Sequence, residues 1–236
     1  MKCNIVMSSA ENDIRCISSR SSAISNTSNT VSSARTGRKG EDILRGFNVK
    51  LSGFRGTEYG KLKLILQRLG GSCIERSIDE VYTSVVSSLT EFQSSSRSLP
   101  SSSSYPSRLD CLICKSVGGK DYIAAKRREI PTVTTKWLHD CYHSQSALPF
   151  TEYICPPFHG LVVVSTQIEE IEREKYKQLV EKNGGEFQYD LVHGQCTHLL
   201  CKKAEGKKYV YASNWGNVKL INLKWVTDCV SAKSKY

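Results

Sequence analysis

Ten cysteines and five histidines are the residues of this 236-residue chain best suited to metal or nucleophilic chemistry. The histidines (His139, His143, His159, His193 and His198) are scattered, and none forms an HExxH metal motif. No GxSxG nucleophile elbow, P-loop or GxGxxG turn accompanies them. No pattern therefore pairs a nucleophile with its base, and the expected class is a binding module, not an enzyme. Cys111 and Cys114 have the CxxC spacing of half a zinc site, but no second pair follows at finger distance, and Cys196 and His198 stand alone. The cysteines are expected to be reduced core residues, with no metal and no cofactor.

Two of those cysteines close nearly identical hexapeptides, KWLHDC (Lys136–Cys141) and KWVTDC (Lys224–Cys229), 88 residues apart. The period suits a small domain, and the flanks repeat in the same order. VKLSGF (Val49–Phe54) matches LVVVST (Leu161–Thr166), and DCLIC (Asp110–Cys114) matches THLLC (Thr197–Cys201). Ser52 and Thr166 are 114 positions apart, as are Gly70 and Gly184, whereas Cys114 and Cys201 are 87 apart. The first copy thus carries extra residues between its Gly-Gly and its third strand. Ser87–Ser107, rich in serine and proline, is the expected disordered insertion.

Each copy reads as strand, helix, strand, strand, helix, strand, helix. Leu62, Leu64–Leu66 and Leu69, or Tyr176, Leu179 and Val180, recur near helical spacing. Gly70-Gly71 and Gly184-Gly185 then stop the helix, because glycine tolerates a left-handed C-terminal position. This order predicts an α/β fold of two domains, each a small, mostly parallel four-stranded sheet flanked by helices. The expected boundaries are a disordered Ser-rich tail over 1–45, a first domain over 46–148, a linker over 149–157 and a second domain over 158–236.

The formal charge of +10 invites a nucleic-acid reading. The lysines and arginines are spread along exposed helix faces, though, and no nucleic-acid motif accompanies them. Weak, salt-sensitive DNA binding remains as an alternative. No run approaches the length of a membrane span, and MKCNIVMSS is too short and polar for a signal peptide, so a soluble intracellular protein without membrane contact is expected.

CTHLLC, KKYVYA and KWVTDC in the second copy, and RGFNVKLSGF, LGG and DYIAAKRREIPTVTTKWLHDC in the first, resemble the BRCT domain. WLHDCYHSQSALPFTEYICPPFHGLVVVST, joining the copies, is similar to the N-terminal pair of a topoisomerase II-binding replication and checkpoint scaffold. Rho exchange factors with BRCT domains share much of it, and a phosphate-independent protein-interaction role stays open beside them. The resemblance implies that Trp137 and Trp225 each anchor a domain core. It also implies a nuclear scaffold for phosphorylated partners, such as a checkpoint clamp tail or replication-initiation factors.

In phosphate-binding members a Ser or Thr ends the first strand, a backbone N–H follows, and a Lys opens the second helix. Some add an Arg seven residues after the Ser or Thr. In the second copy these positions hold Thr166, Gln167, Lys208 and Arg173. A hydroxyl, an amide, a guanidinium and an ammonium together suit a phosphorylated serine or threonine. In the first copy Ser52 and Gly53 match, Tyr59 replaces the Arg, and Asp121 stands where the Lys belongs, with Lys120 one step back. The first site, built on Ser52, Gly53 and Lys120, is the weaker of the two.

Overall fold

The computed structural model describes residues 42–83 and 108–233. Residues 1–41 of the expected tail and the whole insertion over 87–107 lie outside them. The chain divides after Gly160 into two compact units.

The first unit comprises β1 (Asn48–Ser52), α1 (Gly56–Arg68), β2 (Ser72–Ile74), β3 (Cys111–Cys114), α2 (Lys120–Arg127), β4 (Thr132–Val133) and α3 (Thr135–Ser144). A helical stretch over 78–83 precedes the undescribed segment. The second unit repeats the scheme as β5 (Val162–Thr166), α4 (Glu170–Lys182), β6 (Glu186–Gln188), β7 (His198–Cys201), α5 (Lys207–Trp215), β8 (Lys219–Ile221) and α6 (Leu223–Lys233). Strand orders are β2-β1-β3-β4 and β6-β5-β7-β8, and every ladder is parallel. Helices cover the faces of such sheets, so their central strands are apolar on both sides. All four residues of β3 (Cys-Leu-Ile-Cys) are accordingly buried.

The Gly-Gly steps act as helix stops. Gly70 and Gly184 adopt φ of 81° and 82°. The next amides, of Gly71 and Gly185, donate back to the Leu66 and Val180 carbonyls, each at 3.0 Å. A Cβ at Gly71 would come within 2.5 Å of Leu66 Cδ1, so the second glycine is set by packing as well.

Three expectations need correction. The tail does not run to 45: Leu44 is fully buried, and its N–H donates to the Leu69 carbonyl at 2.6 Å. Ile43 and Leu44 are an isolated apolar pair that gives no periodic signal, yet Leu44 packs against the C-terminal end of α1. The stretch 149–157 is not a free linker. Its Phe150–Glu152 form a 3-10 turn, Ile154 makes an antiparallel bridge to Val133, and Cys155 N–H donates to the Thr132 carbonyl at 2.9 Å. It closes the open edge of β4, which satisfies backbone groups that the two-residue strand leaves over.

The third correction concerns the tryptophans. Trp137 is fully buried, with its indole N–H donating to the Leu148 carbonyl at 2.9 Å and Phe150 tilted against the ring. Trp225 is only half-buried and stacks on His198 with ring centroids 5.4 Å apart. Val226, its neighbour on α6, is fully buried.

Among the described residues no three His, Cys, Asp or Glu side chains are grouped to hold a metal, and no helix is long and apolar enough to cross a membrane. The eight described cysteines are free thiols. Cys111 and Cys114 lie on β3, and burial pushes the Cys111 thiol well above its ordinary range.

Candidate functional site

In open parallel sheets, ligands collect at the carboxyl ends of the strands, where helix N-termini also point. In the second unit that edge is built by three segments. β5 ends at Thr166, which pairs in register with Cys201 of β7. Gln167 then turns the chain in a left-handed conformation, φ 57°. Gly206 precedes α5 with φ 92°, and a Cβ there would lie 2.8 Å from Gln167 Nε2 and 3.8 Å from Thr166 Oγ1. Only glycine lets the start of α5 approach the end of β5 this closely.

Thr166, Gln167 and Lys208 are therefore brought together. Lys208, the second residue of α5, donates from Nζ to the Ser165 carbonyl at 3.5 Å and to the Tyr189 carbonyl just after β6. Its ammonium is thereby held beside the strand end. The Thr166 hydroxyl has no hydrogen-bond partner among the described residues. Arg173, on α4, donates from Nη2 to the Ile168 carbonyl at 2.9 Å, which ties it to the loop that follows Thr166. Lys202, next after β7, is paired with Glu172 at 2.7 Å.

Sequence reasoning missed an aromatic ledge on the same helix. Lys208, Tyr211 and Trp215 recur at i, i+3 and i+7 and so share one face of α5. Tyr211 stacks on Trp215 at 6.4 Å, and His193 meets Trp215 edge-on at 4.8 Å. Tyr211 and Val210 are both more than half exposed. The i, i+3, i+7 spacing from Lys208 was the available signal. An aromatic in a helix is usually core, which hid it.

The first unit arranges its corresponding edge differently. Ser52 ends β1 and Gly53 turns with φ 86°, as the alignment of the copies requires. The Ser52 hydroxyl, however, donates to Asp121 Oδ2 at 3.0 Å, and Asp121 Oδ1 accepts the Ile78 N–H at 3.4 Å. Lys120 is exposed at the start of α2, without a hydrogen bond or ion pair among the described residues. Tyr59, in the place of Arg173, meets Cys73 Sγ at 3.5 Å, a contact that, with burial, pushes its phenol up to about 12. Ser52, Gly53 and Lys120 are thus not assembled around an open hydroxyl.

The buried His198 belongs to the frame of the second unit. Desolvation, with the Lys219 charge behind it, lowers its imidazole to about 4. The preceding Thr197 hydroxyl accepts the Val162 N–H at 2.9 Å and lies 2.8 Å from His198 Nδ1. The pair pins β7 to the start of β5.

Comparison with known proteins agrees with this architecture. The profile of the BRCA1 C-terminal (BRCT) domain matches residues 39–142, and that of the twin BRCT domain matches residues 161–225. A BRCT domain-containing protein of Arabidopsis thaliana is 40% identical over 75 residues, 32% of this chain and 6% of that protein. PAX-interacting protein 1 of Mus musculus is 31% identical over 110 residues, 45% of this chain and 10% of that protein. The S-M checkpoint control protein rad4 of Schizosaccharomyces pombe is 27% identical over 116 residues, 46% of this chain and 18% of that protein. The chain therefore spans under a fifth of these curated relatives. The crystal structure of Rad4 BRCT1,2 in complex with a Crb2 phosphopeptide aligns over 81% of this chain and 94% of that one, with a TM-score of 0.54 at 20% identity. The fold is shared. The segment that the sequence writes twice is a BRCT domain, and the chain belongs to the BRCT family as a tandem pair.

Proposed function

We propose that the second domain docks phosphorylated serine or threonine of a partner protein through Thr166, Gln167, Arg173 and Lys208, as part of a nuclear scaffold in replication or DNA-damage checkpoint signalling. The observation that carries this reading is the convergence of the Thr166 hydroxyl, which has no partner among the described residues, the left-handed Gln167 and the Lys208 ammonium across Gly206. A phosphate offers three strong acceptor oxygens and close to two negative charges, which suits such a set of donors. That Rad4 BRCT1,2 was crystallised with phosphopeptides supports the reading by analogy. The family is a protein-interaction module, which fits a docking role better than a catalytic one.

The test is a pull-down with a degenerate phosphopeptide library and its dephosphorylated copy, followed by calorimetric titration of the selected peptide. Hydrogen bonds to charged groups contribute about 1.5–3 kcal/mol each, so Lys208→Ala or Arg173→Ala should weaken binding about ten-fold or more. Equal binding of both peptide forms, or an undiminished Lys208→Ala chain, rejects the reading. Titration with duplex DNA at two salt concentrations tests the alternative raised by the charge of +10, because phosphate-backbone binding would fall steeply with salt.

A further inference from the structure

Asp121 and Lys208 are 87 positions apart, the spacing of Cys114 and Cys201, and each is the second residue of its helix. The same place in the two domains therefore carries opposite charge. In the second domain the lysine reaches the carbonyl of Tyr189, and the neighbouring hydroxyl of Thr166 has no hydrogen-bond partner among the described residues. In the first domain the aspartate turns onto the hydroxyl itself.

The lysine function has not vanished from the first domain. Lys50, inside β1 and only 8% exposed, donates from Nζ to the Glu75 and Arg76 carbonyls, both at 2.8 Å. Glu75 is 114 positions before Tyr189, so both domains place an ammonium on the carbonyl that follows their second strand. One ammonium comes from a strand and the other from a helix. Arg76 is two residues from Ile78, whose N–H meets Asp121. The first domain thus holds a hydroxyl, an amide and a buried ammonium nearby, together with one carboxylate that occupies two of them.

We propose that Asp121 is the resident anion of the first domain and is what makes that domain refuse phosphate. Its two oxygens hold the Ser52 hydroxyl and the Ile78 amide, so an incoming phosphate meets committed donors and a like charge. The tandem accordingly takes one phosphoryl group per chain, in the second domain. That last clause rests on the function proposed above; the role of Asp121 does not.

The experiment uses the full chain carrying Lys208→Ala, which silences the second site. Inorganic phosphate and a phosphoserine peptide are titrated while the backbone amides of Ser52, Gly53 and Ile78 are followed by NMR. With Asp121 in place, these signals should not move. Adding Asp121→Ala should produce saturable shifts at Ser52 and Ile78, with phosphate affinity at least about ten-fold above the Asp121 chain. Asp121→Lys, which copies the charge of the second domain, should do the same and serves if the alanine variant does not fold. Shifts at Ser52 with Asp121 intact overturn the proposal, as does the absence of any gain in a folded Asp121 variant. Failure of phosphopeptide binding to the unmodified second domain would instead reject the proposed function and leave the Ser52 and Ile78 readout unaffected.

Discussion

The two domains keep one ion pair and invert another charge. Lys115–Glu58 at 2.5 Å and Lys202–Glu172 at 2.7 Å stand at matching positions, each linking the residue after the third strand to the first helix. Around this shared feature, position 121 is an aspartate bound to a hydroxyl, and its counterpart 208 is a lysine bound to carbonyls. The frame of the fold tolerates both. Similarity of fold therefore says little about the chemistry of each strand end, and the residues that differ there are few: Asp121 against Lys208, Tyr59 against Arg173, and Lys50 against the Val164 that replaces it.

The largest contrast should appear in stability. Trp137→Ala removes a fully buried indole and its hydrogen bond to Leu148, and should destabilise the first domain by about 3–5 kcal/mol. Trp225→Ala should cost the second domain clearly less, because that ring is only partly buried. Domain-resolved hydrogen exchange under denaturant measures both, and an equal loss would break the contrast.

Acid should separate the domains next. His198 has its pKa lowered to about 4 in the folded state, so the unfolded chain takes the proton first. Stability present above about pH 6.5 is therefore lost as the pH falls towards 4, by up to about 3 kcal/mol in the second domain. The first domain has Cys111 at the matching place, a buried thiol that takes up no proton in this range. Urea midpoints at pH 7 and 4.5 should differ more for the second domain, and His198→Gln should flatten that difference.

A smaller effect distinguishes two matching glycines. Gly206→Ala forces an L residue to φ 92° with its Cβ 2.8 Å from Gln167 Nε2. It should destabilise by about 1–3 kcal/mol and weaken phosphopeptide binding. Gly119, its counterpart, has φ −76° and open space around it, so Gly119→Ala should be close to neutral. Smallest of all, Lys115→Ala and Lys202→Ala should leave the unfolding midpoints nearly unchanged, since surface ion pairs contribute little. A marked shift in only one of them would show that the shared pair is not equivalent.

Most of the fold was legible because it is written twice. Apolar runs, the Gly-Gly stops and the Lys-Trp openings recur in order, and two imperfect signals in the same order constrain a topology better than one. What escaped was whatever does not repeat. Leu44 and the 150–160 stretch have no periodicity of their own, since they satisfy edges made by other elements. The burial of Lys50 depends on carbonyls 25 and 26 positions away, which its sequence neighbours do not signal. Asp121 was visible as an acidic residue at a basic position, but its bond to Ser52 bridges 69 positions and has no local sign.

The packing of residues after α3 also decides where this protein can be dissected. Leu148 caps the Trp137 indole, Tyr153 and Cys155 are laced to Thr134 and Thr132, and Phe158 is fully buried. Val117 N–H reaches the His159 carbonyl at 2.9 Å, and Gly160 lies so close to the Lys115 carbonyl that a Cβ would come within 2.3 Å of it. Excision at 148 would take Phe150 off the Trp137 ring, remove the fully buried Phe158 and bare a strand edge, the usual recipe for an aggregating fragment. A modular unit ends at Gly160. Grafts, fusions and isolated-domain work on the first repeat should place their joint between Gly160 and Leu161.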